Sequence, residues 1–228
     1  MNEITYISLT TIPPRFENIG KTLECLLYQK AEIFEICLVI PKIYSRFPDW
    51  NGDLPQVPKG IKLLRCEKDL GPACKLFPTL HSIENIDSYV LYCDDDWEYQ
   101  PMWAQTFINN KLKNNSVIAS STFKVERLGK KNGSIVQGFG GVLVQKRFFT
   151  AEDYNIPSPY QWVDDIWVST CLRKNMISIE KNKQAKQFIK NGYRDDYELQ
   201  NATFLTKKRA ELNLAAVNYS SERYKIWI

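Results

Sequence analysis

Tyr89-Val90-Leu91-Tyr92-Cys93-Asp94-Asp95-Asp96 runs from an apolar, β-prone segment straight into three consecutive carboxylates. A strand that delivers acids at its C-terminal end fits the crevice of an open α/β sheet, where ligands bind. Adjacent carboxylates repel one another unless a cation joins them. Hard ions such as Mg2+ and Mn2+ prefer oxygen ligands, and Mg2+ is commonly held by one or two carboxylates with substrate phosphates completing its shell. The stretch therefore reads as a metal-diphosphate site at a strand end. The plainer alternative is a solvated acidic turn capping the next helix, since Asp is a good N-cap.

The segments around this strand set its context. Tyr6 to Leu9 reads as a first strand, and Thr10-Thr11-Ile12-Pro13-Pro14-Arg15 as the loop that leaves it, because paired prolines cannot continue a ladder. Leu23, Leu26 and Leu27 recur at helical spacing. Ile33 to Ile40 is a second strand ended by Pro41, and Ile61 to Cys66 a third, with a Pro/Gly-rich loop between them. After the turn Asp69-Leu70-Gly71-Pro72, a helix is expected over Ala73 to Asn85, started or kinked by Pro78. Strand and helix alternate, which predicts an α/β fold with a mostly parallel sheet covered on both faces.

The second half changes character. A helix is expected near Met102 to Leu112, then a β-prone run at Val117 to Ser121. From Ser134 to Val144 two further β-prone runs are interrupted by Gly138, Gly140 and Gly141, which permit a bend or a close approach of ligand to backbone. In Trp162-Val163-Asp164-Asp165-Ile166-Trp167-Val168-Ser169, Asp164 or Asp165 is placed to open a helix running through Leu172.

At 228 residues the chain fits one domain. Its 44% hydrophobic residues exclude disorder. No apolar stretch reaches the roughly 20 residues needed to span a bilayer. Met1 to Ile7 lacks a basic region followed by an apolar one, so no secretory signal is expected and the expected location is cytoplasmic. The six cysteines form no CxxC pair and sit mostly in apolar segments, which favours reduced thiols. His81, the single histidine, reads as a helix residue and gives metal or triad chemistry little to rest on. The net charge of +4 is uneven: Lys-rich segments at Lys111 to Lys131 and Arg173 to Lys190 stand against acids at Asp94 to Asp96, Asp164-Asp165 and Asp195-Asp196. The basic segments would suit an anionic ligand or a peripheral membrane contact, or simply be solvated faces.

Taken together, the strand and polar loop at Ile4 to Arg15, the Lys-bearing turn Lys68 to Lys75, Asp94-Asp95-Asp96, the glycine-rich bend and the late Trp-Val-Asp-Asp resemble the GT-A type of nucleotide-sugar-dependent glycosyltransferase, over about residues 4 to 175. The resemblance implies a Rossmann-like single domain over 1–228, with a nucleotide-binding half to about residue 100, an acceptor-binding half from about 101, and a smaller antiparallel β element in the latter. It implies Mn2+ or Mg2+ as cofactor, and a nucleoside-diphosphate sugar as donor, UDP-sugar ahead of GDP-sugar. A glycan, glycolipid or glycoprotein hydroxyl is the implied acceptor, and nucleic acid is not a partner. Carried over by position, Asp96 binds the metal with Asp94, which also touches ribose or sugar; Asp95 lies nearby; Thr10, Thr11 and Arg15 hold base and ribose; and Asp69 and Lys75 touch nucleotide or sugar. Asp165, or its neighbour Asp164, supplies the catalytic base of an inverting transfer, with retention through a carboxylate nucleophile as the alternative. The chain departs from the pattern in having no histidine after His81 as a further metal ligand, a role for which Asp195 or Asp196 is the candidate. The aromatics Trp97, Tyr99, Trp103, Tyr160, Trp162 and Trp167 flank the acidic motifs as candidates for stacking on sugar.

Two other readings compete. A sugar nucleotidyltransferase would use a similar sheet and metal but should carry a Gly-rich phosphate loop after the first strand, and Thr10 to Arg15 contains no glycine. A non-catalytic module binding an anionic ligand could use the Lys-rich segments. Such a module has no need of two separated acidic clusters.

Overall fold

The computed structural model describes residues 4–110, 116–198, 203–204 and 207–228. In chain order the elements are β1 (Thr5–Thr10), α1 (Ile19–Leu27), β2 (Glu35–Pro41), β3 (Ile61–Cys66), α2 (Phe77–Ser82), β4 (Tyr89–Tyr92), β5 (Trp97–Tyr99), α3 (Trp103–Ile108), β6 (Ser116–Lys124) and β7 (Ser134–Gln145). They are followed by α4 (Asp164–Lys174), β8 (Ser178–Lys181), β9 (Ile189–Asn191), the two-residue strands β10 (Thr203–Phe204) and β11 (Lys207–Lys208), and α5 (Arg209–Tyr224).

The central sheet has seven strands in the order β3-β2-β1-β4-β7-β6-β8. The pairs β3-β2, β2-β1, β1-β4 and β6-β8 are parallel, and β7 lies antiparallel between β4 and β6. β5 and β9 form a separate antiparallel pair. β2 and β4 read as continuous apolar runs because both sheet faces are covered there, while the edge strand β3, Ile-Lys-Leu-Leu-Arg-Cys, is only half-buried. Alternation along β4 sends Val90 and Tyr92 into a core with Phe77, Leu80, Trp167 and Val217, and Leu91 into the opposite core with Leu23, Trp103 and Phe107.

Several expected boundaries shift for identifiable reasons. The helix expected over Ala73 to Asn85 is a 3-10 turn, Gly71–Lys75, followed by the short α2, since Pro72 and Pro78 each lack an N–H and restart the backbone at a first turn. The helix expected to Leu112 ends at Ile108, and residues 111–115 lie outside those described. The two runs expected around the glycines are one strand, β7, and the irregularity falls instead in its pairing with β6, between Ala119 and Ser121. The glycines there admit protein, not ligand: a Cβ on Gly140 would lie 2.1 Å from Ser120 Oγ, and one on Gly141 2.5 Å from Trp103 Cζ2. Trp103 Nε1 donates to Gly140 O at 2.8 Å, which fixes the indole against the strand.

Gly141 also holds a φ of 99°, in the left-handed region. Gly141→Ala should therefore cost at least about 2 kcal/mol in urea unfolding, from backbone strain plus overpacking against Trp103. A loss below about 0.5 kcal/mol, the level of an ordinary surface change, would show that the strand relaxes freely at this point.

Candidate active site

β1 and β4 run parallel with Ser8 opposite Tyr92, so Thr10-Thr11 and Asp94-Asp95-Asp96 emerge side by side at the carboxyl edge of the sheet. The order β3-β2-β1-β4 reverses the chain's progression across the sheet between β1 and β4, the position where open α/β sheets bind ligands. On the other side of β4, β7 pairs antiparallel with Val142 opposite Tyr92. Gly138 and Phe139 consequently project past the end of β4, alongside the acids.

The three acids do different things. Asp95 is buried and turned into the protein: Thr11 Oγ1 donates to its Oδ2 at 2.5 Å and Arg15 Nη1 to its Oδ1 at 2.6 Å. Burial, opposed by the Arg15 charge, still pushes Asp95 upward. Asp94 is half-buried, and its Oδ1 accepts from Lys75 Nζ at 2.6 Å. Asp96 has one oxygen 3.4 Å from Arg15 Nη1, and its Oδ1 is buried without a hydrogen-bond partner. Burial first, then the charges of Asp94 and Asp95, push the Asp96 carboxyl up to about 7.

Arg15, expected to hold base and ribose, lines the cleft with its guanidinium engaged by protein carboxylates. Besides Asp95 and Asp96 it forks onto Asp195, with Nε to Oδ2 at 2.7 Å and Nη2 to Oδ1 at 3.0 Å. Against burial, these acids hold Arg15 firmly protonated. Against its own burial, the Arg15 hydrogen bond and charge hold Asp195 below the usual carboxylate range. Asp195 therefore serves Arg15 and is not free as the further metal ligand, and Asp196 is exposed beside it. Asp69 braces two loops, its oxygens accepting from Ser45 N at 2.7 Å and Gly71 N at 2.8 Å. The Thr10 hydroxyl donates to Val39 O at 2.7 Å.

Lys75 joins the two acidic motifs. Its ammonium lies 2.6 Å from Asp94 Oδ1 and 2.8 Å from Asp164 Oδ2, with the side chains of Lys75 and Asp164 almost wholly buried. Against burial, the charges of Asp164, Asp94 and Asp165 hold Lys75 well above the usual lysine range. Room for the ammonium comes from Gly138, where a Cβ would sit 2.7 Å from Nζ. Asp164 and Asp165 open α4 as its first residues, but the cap residue is Val163, without a side-chain cap, so neither acid serves as the N-cap. Asp165 is half-buried, and its Oδ1 accepts from Gly138 N at 3.0 Å. Burial and the adjacent Asp164 push Asp165 up to about 7, opposed by Lys75 and Arg209.

These residues share one cleft of about 460 Å3. Thr10, Thr11, Arg15, Asp69, Lys75, Asp94, Asp95, Asp96, Asp164 and Asp165 all line it. Among the flanking aromatics, Trp97 and Trp162 line the cleft, while Tyr99, Trp103, Tyr160 and Trp167 are core residues no more than 1% exposed. Sequence reasoning passed over Tyr44, Gln137, Tyr193, Arg194 and Arg209, which also line it. Tyr44 gave a weak signal as an aromatic just after a strand; its hydroxyl donates to Thr11 O at 2.8 Å and so steadies the first loop. Arg209 gave none, being brought from the start of α5 by the late chain path, where it donates to Trp162 O.

The donor set suits a hard divalent cation. Asp94 and Asp96 offer carboxylate oxygens from one strand end, and the buried Asp96 Oδ1 lacks any partner of its own. Among the described residues no group of three or more His, Cys, Asp or Glu is arranged to hold a metal ion. One or two carboxylates with substrate phosphates is the usual arrangement for Mg2+.

No family model matches the chain, and no curated protein matches it. Among solved structures, glucosyl-3-phosphoglycerate synthase from Mycobacterium tuberculosis, in complex with Mn2+, uridine diphosphate and glucosyl-3-phosphoglycerate, is similar at a TM-score of 0.57 and 11% identity, over 99% of this chain and 81% of that one. The same enzyme with Mg2+ and uridine diphosphate gives 0.55 at 12% identity, over 99% and 80%. The 2-C-methyl-D-erythritol 4-phosphate cytidylyltransferase of Francisella tularensis gives 0.47 at 13% identity, over 81% and 92%, a likeness too slight to argue from. At these identities the comparison establishes the fold alone: the chain has a Rossmann-like mixed α/β fold with a seven-stranded, mostly parallel central sheet. Among the described residues no helix is long and apolar enough to cross a membrane.

Lys75→Met should lower stability by about 3–5 kcal/mol in urea unfolding, because it strands a buried carboxylate. Adding Asp164→Leu to that variant should restore a large part of the loss. Strictly additive losses would mean that Lys75 and Asp164 are not coupled.

Proposed function

We propose that the chain is a metal-dependent glycosyltransferase that moves a sugar from a nucleoside-diphosphate sugar to an acceptor hydroxyl with inversion. The observation that carries this reading is the division of labour between the late acids across from Asp94 and Asp96. Asp164 is neutralised by Lys75, while Asp165 keeps its carboxylate in the same cleft with no direct cationic partner within salt-bridge distance among the described residues. A base needs an ionised carboxylate whose pKa lies near the working pH, and about 7 for Asp165 meets that requirement. Mn2+ or Mg2+ held by Asp96 and Asp94 would supply Lewis-acid stabilisation of the diphosphate leaving group.

The chain's own residues account for the rest. Asp165 accepts the proton of the attacking hydroxyl, and the Gly138 N–H fixes the orientation of its carboxylate. Lys75 holds Asp94 and Asp164 on one cation, so the strand end and the start of α4 keep a constant separation. Arg15 neutralises Asp95, which leaves Asp94 and Asp96 as the acids that face the ligand. Trp97 and Trp162 offer ring faces to sugar or base. Uridine as the base, a glycan-type hydroxyl as the acceptor, and the division into a nucleotide half before about residue 100 and an acceptor half after it belong to the same proposal. The solved uridine-diphosphate complexes of similar fold support the uridine choice. The sugar nucleotidyltransferase alternative gains little here, because the first loop is a Pro-Pro-Arg 3-10 turn and not a Gly-rich phosphate cradle.

Two arms test the reading. Calorimetry should detect UDP with Mn2+, and Asp96→Asn or EDTA should weaken that binding at least about tenfold, through loss of a charged ligand. Asp165→Asn should keep UDP affinity and lower kcat by about 10² to 10⁴, the usual worth of a general base. In the unaltered protein saturated with Mn2+ and donor, kcat should fall about tenfold per pH unit below 7, as Asp165 takes up its proton. Metal-independent UDP binding, or full turnover in Asp165→Asn, would remove the corresponding part of the proposal.

A further inference from the structure

Cys66 is the last residue of β3, the edge strand of the sheet, and Cys74 lies in the 3-10 turn that carries Lys75. Their sulfurs are in contact at 3.9 Å across eight residues of chain. Cys66 is half-buried and reachable from solvent, whereas Cys74 is 1% exposed and forms part of the cleft wall. The pair has its own local hydrogen bonds: the Cys66 thiol donates to Lys68 O at 3.3 Å, and Leu70 N donates to Cys74 Sγ at 3.3 Å. Neither sulfur belongs to the constellation of acids and cations described above.

We propose that Cys66 and Cys74 are a redox modification site, closed to a disulfide by a peroxide-class oxidant, and that closure loosens Lys75 from Asp94 and Asp164. A disulfide needs its sulfurs at about 2.0 Å, so the pair must approach by a further 1.9 Å or so, with the two sulfurs already in contact. The hydrogen bond from Cys74 holds the Cys66 thiol below the ordinary thiol range, while that same bond, with burial, raises Cys74. Cys66, half-buried and reachable by the oxidant, is the attacking thiolate, and Cys74, 1% exposed, the resolving thiol. Burial raises the other four thiols, Cys25, Cys37, Cys93 and Cys171.

The chemistry balances as two steps. Cys66 thiolate attacks a peroxide oxygen, forming the S–O bond of a sulfenic acid as the O–O bond breaks and hydroxide departs, which takes up the proton the Cys66 thiol released and becomes water. Cys74 then loses its proton and attacks the Cys66 sulfur, forming the S–S bond as the S–O bond breaks and a second water departs. Two thiols give up two electrons in all, and hydrogen peroxide is reduced to two waters. A dithiol reverses the change by exchange.

Closure reaches the cleft because both flanks of the pair are held. At one end Lys42 N donates to Cys66 O at 2.8 Å, in continuation of the pairing with β2. At the other, Gly71 is wedged against the loop before α4, where a Cβ would lie 2.6 Å from Gln161 O. The displacement therefore falls on the Cys74 turn and on Lys75 next to it, whose ion pairs at 2.6 and 2.8 Å leave no slack.

The test needs neither donor nor acceptor, so its outcome is independent of the glycosyl-transfer reading. The full chain is treated with hydrogen peroxide and its peptides are mapped without reduction, while brief acetic anhydride labelling reports on Lys75. Met176, which is 88% exposed, serves as the internal measure of dose through its sulfoxide. The expected result is a Cys66–Cys74 linked peptide at doses that leave Met176 mostly unoxidised, with Lys75 labelling raised on the order of tenfold by local opening. Dithiothreitol should reverse both changes, and Cys66→Ser should prevent both. The proposal is overturned if Met176 is oxidised before the linked peptide appears, if the linked peptide forms while Lys75 stays protected, or if Cys66→Ser still exposes Lys75.

Discussion

The site depends on one buried ammonium. Lys75 lies between Asp94, at the end of β4, and Asp164, at the start of α4, and among the described residues no other contact ties those two acidic motifs so directly. Without a cation at that point, Asp94, Asp164 and Asp165 would gather negative charge in a partly buried space, where carboxylates drive one another's pKa upward. The neighbouring backbone has adapted to it. Gly138 leaves room for the ammonium and uses its N–H to hold Asp165 in place. A buried ion pair is weak evidence for stability in itself, but losing one partner is costly, which makes this lysine a constraint on geometry more than a source of net stabilisation.

The same principle separates the members of the acidic triplet. Arg15, inside the first loop, neutralises Asp95 in the cleft wall and at the same time fastens the Gly192-to-Tyr197 segment through Asp195. Thr11 completes the hold on Asp95, and Tyr44 steadies Thr11. What remains toward the cleft is Asp94, half-neutralised by Lys75, and Asp96, whose Oδ1 is buried without a partner. Asp96 and Asp165, on opposite acidic motifs, are both raised, mainly by burial, and perturbed groups of this kind cluster at functional sites.

Much of this was legible in the sequence because it depended on local signals. β-prone segments ending in turn residues marked β1 to β4, and the parallel pairing then placed Thr10, Thr11 and Asp94 to Asp96 at one sheet edge without further information. What escaped was long-range. Arg15 was read as a contact to base and ribose, and nothing in its neighbourhood announced Asp195, 180 residues away. The glycines of β7 suggested a bend open to ligand, but the groups that approach them are Trp103, Ser120 and Lys75, from distant parts of the chain. α5 went unread because its buried face includes Ser220 and Ser221, which interrupt the apolar period; Ser220 bonds to Tyr160 and Thr170. Arg209 was missed along with it.

The central claim is that the end of β4 and the start of α4 form one metal-nucleotide site around Lys75. Crystals grown with UDP and Mn2+, with data collected at the manganese absorption edge, test it most directly. The account predicts an anomalous peak within coordination distance, about 2.0–2.4 Å, of a carboxylate oxygen of Asp96, with the diphosphate on its far side and Lys75 still between Asp94 and Asp164. An anomalous peak away from Asp96, or UDP bound outside this cleft, would contradict it.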